Sequence, residues 1–291
     1  MRVFISGASG LVGGNCYTYF TEKGWEVVGS HFSYPTDYTV PFDTLNPDSS
    51  ENFDLATWKP DYILHCGALT WVDYCEQNPE ESYEKTVQST LNLIELSERL
   101  GARLVFISTD YVFDGENGPY SEEDTLNPLS VYGKHKLEAE QKALENPNSL
   151  AIRITNVYGK ELRNKNFVMR LIDNIKKGEP MELNLPADQY ATPANAADIA
   201  RALYLLIRDG KNGVYHIGST DYLNRVQLAE RILRYYPAPH VSIIPKTTPE
   251  LNPPAARPLR GGLRSEKFLS EYPDFNYTNV DDFLRSLQDS K

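Results

Sequence analysis

Three features of the sequence predict an α/β fold in which a parallel sheet flanked by helices carries a small α+β lobe. Short apolar runs alternate with longer amphipathic stretches across the first half, a glycine-rich turn follows the first run, and past Thr155 the regular alternation gives way to scattered elements.

The runs Arg2–Ser6, Trp25–Gly29, Asp61–His65, Arg103–Ser108 and Leu150–Thr155 read as strands. Their unbroken apolar character suits strands covered on both faces, as parallel sheets are. Helices are expected at Leu11–Lys23, Glu80–Leu100 and Ser130–Leu144, the last with Ser130 as its N-cap. Beyond Thr155 a helix is expected at Asn166–Lys177 and a loop at Leu185–Pro193. A helix from Asn195 to Arg208 and a strand at Val214–Ile217 then return to the sheet. Seven prolines between Tyr236 and Gly262 predict a mostly irregular stretch, and Val280–Leu287 reads as a closing helix. The expected division is a sheet domain of residues 1–155 plus about 195–222, and a lobe of 156–194 plus about 223–291.

Composition narrows the function class. The 291 residues are 41% hydrophobic and 24% charged, ordinary globular usage, and their formal net charge is -11. No nucleic-acid partner is expected, because a phosphate backbone needs a basic footprint. Cys16, Cys66 and Cys75 have no CxxC or histidine-rich company, so no metal site is expected and a reducing cytoplasmic setting fits them best. No stretch of 18 apolar residues exists and Val3–Ile5 is too short for a signal-peptide core, so no membrane partner is expected.

The segment Gly7-Ala8-Ser9-Gly10-Leu11-Val12-Gly13 joins the first strand to the first helix. One glycine permits a tight turn, one lets backbone N–H groups approach a pyrophosphate, and one lets helix pack closely on strand, the demands of a Rossmann-type dinucleotide site. A glycine-rich turn without a ligand is the alternative, which the strand-loop-helix context disfavours. The second strand ends in Gly29-Ser30-His31-Phe32-Ser33. Without a carboxylate there NADP(H) is allowed, and without an arginine it is not selected; the reading leans to NADP(H), with NAD(H) left open. His31 reads equally well as an ordinary surface residue.

Strand Arg103–Ser108 runs into Thr109, and Tyr132 and Lys136, four apart, share one face of the helix that follows. Reducing a carbonyl takes a hydride on carbon and a proton on oxygen. A tyrosine with pKa about 10 serves poorly at neutral pH unless a nearby ammonium lowers it. A shift of about three units, roughly 4 kcal/mol, is the expectation for Tyr132 beside Lys136. Lys136 can also hold a nicotinamide ribose, while Thr109 hydrogen-bonds the substrate oxygen. Alone, a YxxxK pair equally describes an exposed helix with a solvated lysine.

The glycine loop, His65-Cys66-Gly67-Ala68-Leu69-Thr70-Trp71-Val72-Asp73, Ser108-Thr109-Asp110-Tyr111-Val112-Phe113-Asp114-Gly115 and Asn127-Pro128-Leu129-Ser130-Val131-Tyr132-Gly133-Lys134-His135-Lys136 together resemble the extended short-chain dehydrogenase/reductase family. Within it they are similar to the dTDP-4-dehydrorhamnose reductase group. Weaker echoes are Arg153 to Gly159, Asp188-Gln189 and Ala256-Arg257-Pro258. The resemblance implies an NAD(P)H-dependent reductase of a nucleotide-4-keto-6-deoxysugar, with the lobe binding substrate and a homodimer allowed. Its catalytic residues would be Thr109, Tyr132 and Lys136. Cofactor would be held by Gly7, Ser9, Gly10, Leu11, Val12, Gly13, Ser30, His31, Asp43, Cys66, Gly67, Ala68, Tyr132 and Lys136. Thr70, Val72, Thr109, Asp110, Tyr111 and Asn156 would meet the substrate. Cys66 reads equally as a small buried hydrophobe, and Asp43 as a cap or turn residue.

Three departures fall at the substrate end: Asn156 where the group has an aromatic residue before Val-Tyr-Gly, His65 for an asparagine, and Trp71 for a small residue. Related dehydratases place glutamate where Tyr111 stands, and epimerases show a small-residue run before their Val-Tyr-Gly that Thr109-Asp110-Tyr111 does not match, so simple reduction fits better than either. The regulatory β subunit of methionine adenosyltransferase resembles the same group and acts by binding a partner enzyme, which leaves a binding role as the alternative.

Overall fold

The structure, a computed structural model, describes residues 1–49 and 53–289. In chain order its elements are β1 (Arg2–Ser6), α1 (Leu11–Glu22), β2 (Glu26–His31), β3 (Thr39–Pro41), α2 (Leu55–Trp58), β4 (Tyr62–His65), α3 (Val72–Gln77), α4 (Pro79–Tyr83), α5 (Ser89–Leu100), β5 (Arg103–Thr109) and α6 (Val131–Leu144). There follow β6 (Leu150–Ile154), α7 (Phe167–Lys177), β7 (Met181–Pro186), β8 (Tyr190–Ala191), α8 (Ala196–Arg208), β9 (Gly213–Ile217), β10 (Leu223–Asn224), α9 (Arg225–Tyr235), β11 (Val241–Lys246), α10 (Thr248–Leu251), α11 (Glu266–Glu271) and α12 (Val280–Asp289).

Seven strands form one parallel sheet in the order β3-β2-β1-β4-β5-β6-β9. The order reverses between β1 and β4, which opens a crevice at the carboxyl ends of these strands, where α/β sheets bind ligands. Apolar side chains alternate between the two covered faces. Val3, Ile5, Leu64 and Ile152 pack with α1 and α8 on one side, and Phe4, Ile63, Leu104 and Phe106 with α5 and α6 on the other. The returning pair behaves as expected: β9 lies parallel to β6, with Ile152 opposite Tyr215.

A third core belongs to the lobe, where Leu171, Ile175, Val226, Ile232 and Leu284 join α7, α9 and α12. The lobe is not all of 223–291, however. Phe268 and Phe275 are buried in the main core, so the α11 region belongs with the sheet rather than with the expected lobe. The proline-rich stretch is less irregular than expected, since β11 pairs in parallel with β7 from Val241 opposite Met181 to Lys246 opposite Pro186. Pro245 is tolerated because a two-stranded sheet has free edges where a missing N–H breaks no ladder. The expected loop Leu185–Pro193 likewise contains the end of β7 and the short β8. The helix expected over Glu80–Leu100 is continuous but wound more loosely over Glu84–Gln88, with i→i+5 bonding between α4 and α5.

Candidate active site

The crevice begins at the glycine loop. Gly7 has φ +76°, and a Cβ on it would come within 2.9 Å of the Gly67 nitrogen, so the loops after β1 and β4 meet backbone to backbone. A Cβ on Gly13 would lie 2.5 Å from the Gly7 carbonyl oxygen, which fixes how closely α1 packs on β1. Gly10 is different. A Cβ there would meet only the Gly7 oxygen, at 3.3 Å. The fold itself thus makes a small demand at Gly10, and the remaining freedom suits the approach of a ligand.

Gly10 also caps α1 without a side chain, whereas α6, α7, α8 and α9 are capped by the side chains of Ser130, Asn166, Asn195 and Asn224. The first-turn N–H groups of Leu11, Val12 and Gly13 are thereby left for an outside acceptor, and a pyrophosphate fits them. Beside them Ser9, Gly10, Leu11, Gly14 and Asn15 line a recess of about 300 Å³. Ser30 is buried and its carbonyl accepts the Ala8 N–H at 2.8 Å, while the His31 ring bonds the Thr39 hydroxyl at 2.8 Å. Asp43 accepts from the Leu45 N–H and the Asn46 side chain, holding the turn after β3.

At the end of β4 the Cys66 N–H bonds the Ser6 carbonyl, and burial pushes the thiol up to about 12. Gly67 and Ala68 continue the chain along the crevice, half-buried. His65 lies beneath them, between the hydroxyls of Ser6 at 2.8 Å and Ser89 at 3.4 Å. Burial first, then the charge of Lys136, drives its imidazole down to about 3, so it is neutral.

The β5 end carries the second half of the site. The Ser130 hydroxyl accepts the Gly133 N–H and the Glu76 carboxylate accepts the Val131 N–H, so the first turn of α6 is fixed twice. A Cβ on Gly133 would fall 2.3 Å from the Tyr111 carbonyl oxygen. That contact seats α6 directly on the turn after β5 and brings the Tyr132 hydroxyl next to that of Thr109, which itself accepts the Tyr111 N–H at 3.2 Å. Tyr132 and Lys136 are both buried, and the ring of Tyr111 meets that of Tyr132 edge-on at 5.6 Å.

Lys136 corrects one expectation. Its ammonium donates to the Ile107 carbonyl at 2.5 Å and sits 4.0 Å over the Phe106 ring, not against the Tyr132 oxygen. Burial therefore wins at both groups. It pushes the Tyr132 phenol well above its ordinary value against the Thr109 hydrogen bond, and pulls Lys136 down to about 7 despite the Glu140 carboxylate. The phenol therefore keeps its proton at neutral pH, and its raised pKa makes it a weaker acid than a free tyrosine, so the lowering expected from Lys136 is not provided by this arrangement of the two side chains.

Asp110 is also redirected. Expected against substrate, it is buried, and its carboxylate accepts from the Thr155 hydroxyl at 2.7 Å and the Gly262 N–H at 3.1 Å. Burial raises its pKa, and these two bonds oppose the rise. Asp110 thus ties the ends of β5 and β6 to the 258–263 segment. Tyr111 faces the crevice among Arg257, Arg225 and Asp73. Asn156, with φ +25°, accepts from Arg225 at 3.1 Å. Thr70 is exposed and Val72 opens α3, next to Trp71, which is 67% exposed and stacked on Tyr74. Arg225 stands in no motif, and Arg257 was visible only as a weak echo. Both arrive from the lobe, and Arg257 pairs with Asp73 at 2.6 Å.

This architecture has relatives. Residues 1–285 match the model of the family described as RmlD substrate binding domain. Methionine adenosyltransferase 2 subunit beta of Bos taurus is 30% identical over 252 residues, covering 84% of this chain and 75% of its own. A probable low-salt glycan biosynthesis reductase of Haloferax volcanii is 30% identical over 270 residues, covering 90% of this chain and 89% of its own. The crystal structure of dTDP-4-dehydrorhamnose reductase from Bacillus anthracis in complex with NADP superposes with TM-score 0.85 at 27% identity, covering 100% of this chain and 99% of that one. With the match spanning both the sheet and the lobe, the chain belongs to the RmlD substrate binding domain family.

Proposed function

We propose that the protein is a reductase that uses NADPH, or less readily NADH, to convert the keto group of a nucleotide-linked 4-keto-6-deoxysugar to an alcohol. The observation that carries this reading is the buried Thr109–Tyr132 hydroxyl pair at the end of β5, with Lys136 one turn further along the same helix face. The uncapped, glycine-lined start of α1 supports the dinucleotide, and the NADP complex of the Bacillus anthracis reductase supports its identity.

When bound along Gly7–Gly13, Ser30, His31, Asp43 and Cys66–Ala68, the reduced nicotinamide supplies a hydride to the carbonyl carbon. Tyr132, held protonated by burial, gives its phenolic proton to the oxygen as charge develops there. Thr109 donates a hydrogen bond to the same oxygen, and Lys136 holds the nicotinamide ribose. Electrons and protons balance: one hydride and one proton convert ketone to alcohol. Thr70, Val72 and Tyr111 line the path of the sugar nucleotide, with Asp110 holding the turn that presents them.

The test mixes the purified protein with NADPH and a panel of nucleotide-4-keto-6-deoxysugars and follows the near-ultraviolet absorbance of reduced nicotinamide. Turnover is expected with at least one of them. Tyr132→Phe should keep NADPH binding and lower kcat at least about 100-fold, the scale for losing a positioned proton donor. Near-normal turnover by that variant sinks its role. The similarity to methionine adenosyltransferase 2 subunit beta favours a second reading, a binding subunit. Dinucleotide binding without turnover on any sugar, together with stable co-purification of another enzyme, would support that one instead.

A further inference from the structure

The 2′-phosphate that separates NADPH from NADH needs positive charge, and the strand end that usually supplies it has none. From Gly29 through Phe42 there is no lysine or arginine, and the formal charge in that segment is Asp37. The His31 ring is engaged with Thr39.

The connection from β6 to α7 supplies what is missing. It reads Lys160-Glu161-Leu162-Arg163-Asn164-Lys165 and crosses to the glycine loop. Lys160 and Leu162 face Ser9, Gly10 and Tyr38 across the recess of about 300 Å³. The Asn15 side chain on α1 donates to the Lys160 carbonyl at 3.1 Å, which ties the connection down. The Arg163 guanidinium lies 5.0 Å over the Tyr34 ring, in the segment between β2 and β3.

The one carboxylate in this stretch, Glu161, also lines the recess, but one of its oxygens is engaged at the start of α7. Glu161 accepts from both the backbone N–H and the side chain of Asn166, each at 2.7 Å, at the start of α7. Among the described residues neither Lys160 nor Arg163 takes part in an ion pair. Phe32, 71% exposed, and Leu162, 65% exposed, add apolar surface to the two segments, suited to covering a purine.

We propose that the Lys160–Lys165 connection closes over the adenosine end of the dinucleotide, with Lys160 and Arg163 as the cations that recognise a ribose 2′-phosphate. Selection of NADPH over NADH is then made by this connection and not by the end of β2. The inference rests on the dinucleotide assignment above. A phosphate monoester carries a charge of about −1.5 to −2 at pH 7, so two cations on it act strongly, while a 2′-hydroxyl gains little from them.

The test titrates the full-length protein and the Lys160→Gln/Arg163→Gln variant with NADPH and with NADH, reading nicotinamide fluorescence, at two salt concentrations. The variant should bind NADPH at least about tenfold more weakly and NADH within about twofold of the parent, and the parent's NADPH affinity should fall more steeply with salt. Arg163→Lys should recover part of the loss. Unchanged NADPH affinity in the double variant overturns the inference while leaving the reductase reading intact, and so does an equal loss for both dinucleotides. A parent protein that binds neither dinucleotide overturns both.

Discussion

Burial sets the protonation states of the groups proposed to react. Tyr132 and Lys136 are both held towards their neutral forms, and His65 below them is neutral as well. For Lys136 this has a consequence for stability. Its folded pKa of about 7 lies below the unfolded value of about 10.4, so the unfolded chain binds the extra proton between these limits and stability rises with pH across that window. Below it the amine is protonated in a desolvated place at full cost. Lys136→Met removes that cost. We predict that it stabilises the fold by about 1–4 kcal/mol at pH 6, with the gain shrinking towards zero as pH approaches about 10. Denaturant titrations of variant and parent across this range check the sign, and a gain independent of pH would contradict it. The Tyr132–Lys136 pairing was legible in the spacing of four. The direction of the ammonium was not, because it follows from the Ile107 carbonyl and the Phe106 ring, which only the packing of α6 on β5 brings beneath it.

Elements explain which glycines serve the fold and which are free to meet the proposed dinucleotide. A methyl on Gly13 collides with the Gly7 carbonyl and Ala8 Cα, at 2.5 and 2.8 Å, whereas one on Gly10 meets a single oxygen at 3.3 Å. Gly13→Ala should therefore lower stability by about 1–3 kcal/mol. Gly10→Ala should leave the unfolding midpoint nearly unchanged while weakening dinucleotide affinity, and the two effects are read separately by thermal unfolding and ligand titration. Helix α6 depends on a second device: Arg153 on β6 and Glu140 on α6 form a fully buried, multiply hydrogen-bonded pair beside His216. Glu140→Gln should cost about 3–5 kcal/mol by stranding the guanidinium, and exchanging both partners for leucine and methionine should recover most of the loss in denaturant titrations. Strands of the main sheet could be read from sequence since each is a short apolar run covered on both faces. β3, β8 and β10 could not, being two or three residues long, and β11 was hidden by Pro245 and by a partner, β7, some sixty residues away.

At the scale of the whole molecule, a sheet domain and a lobe with its own core meet along the crevice, and a few polar ties hold them there. Asp110 binds Gly262 from below, while backbone from Pro258 to Gly261 packs on Gly115 and Gly118 too closely for any side chain between. The tie nearest the mouth is made by Asp73, in the first turn of α3, with the Arg257 guanidinium at 2.6 Å and the Ala255 N–H at 3.2 Å. No local pattern announces it, because its partners stand far apart in sequence and converge only when the lobe docks. It lies close to Tyr111, and we propose that it holds the substrate channel closed rather than holding the fold together. We predict that Arg257→Gln and Asp73→Asn each raise KM for the sugar nucleotide by about tenfold, the scale of one charge-assisted tie, with kcat less affected. Each should lower stability by no more than about 1 kcal/mol, since neither partner is fully buried. Both variants should also speed protease cleavage within residues 252–259, a readout that does not depend on turnover. If Arg257→Gln alone raised KM and cleavage rates stayed unchanged, the guanidinium would be meeting the substrate directly, and closure of the channel would have to rest on the Asp110–Gly262 contact instead.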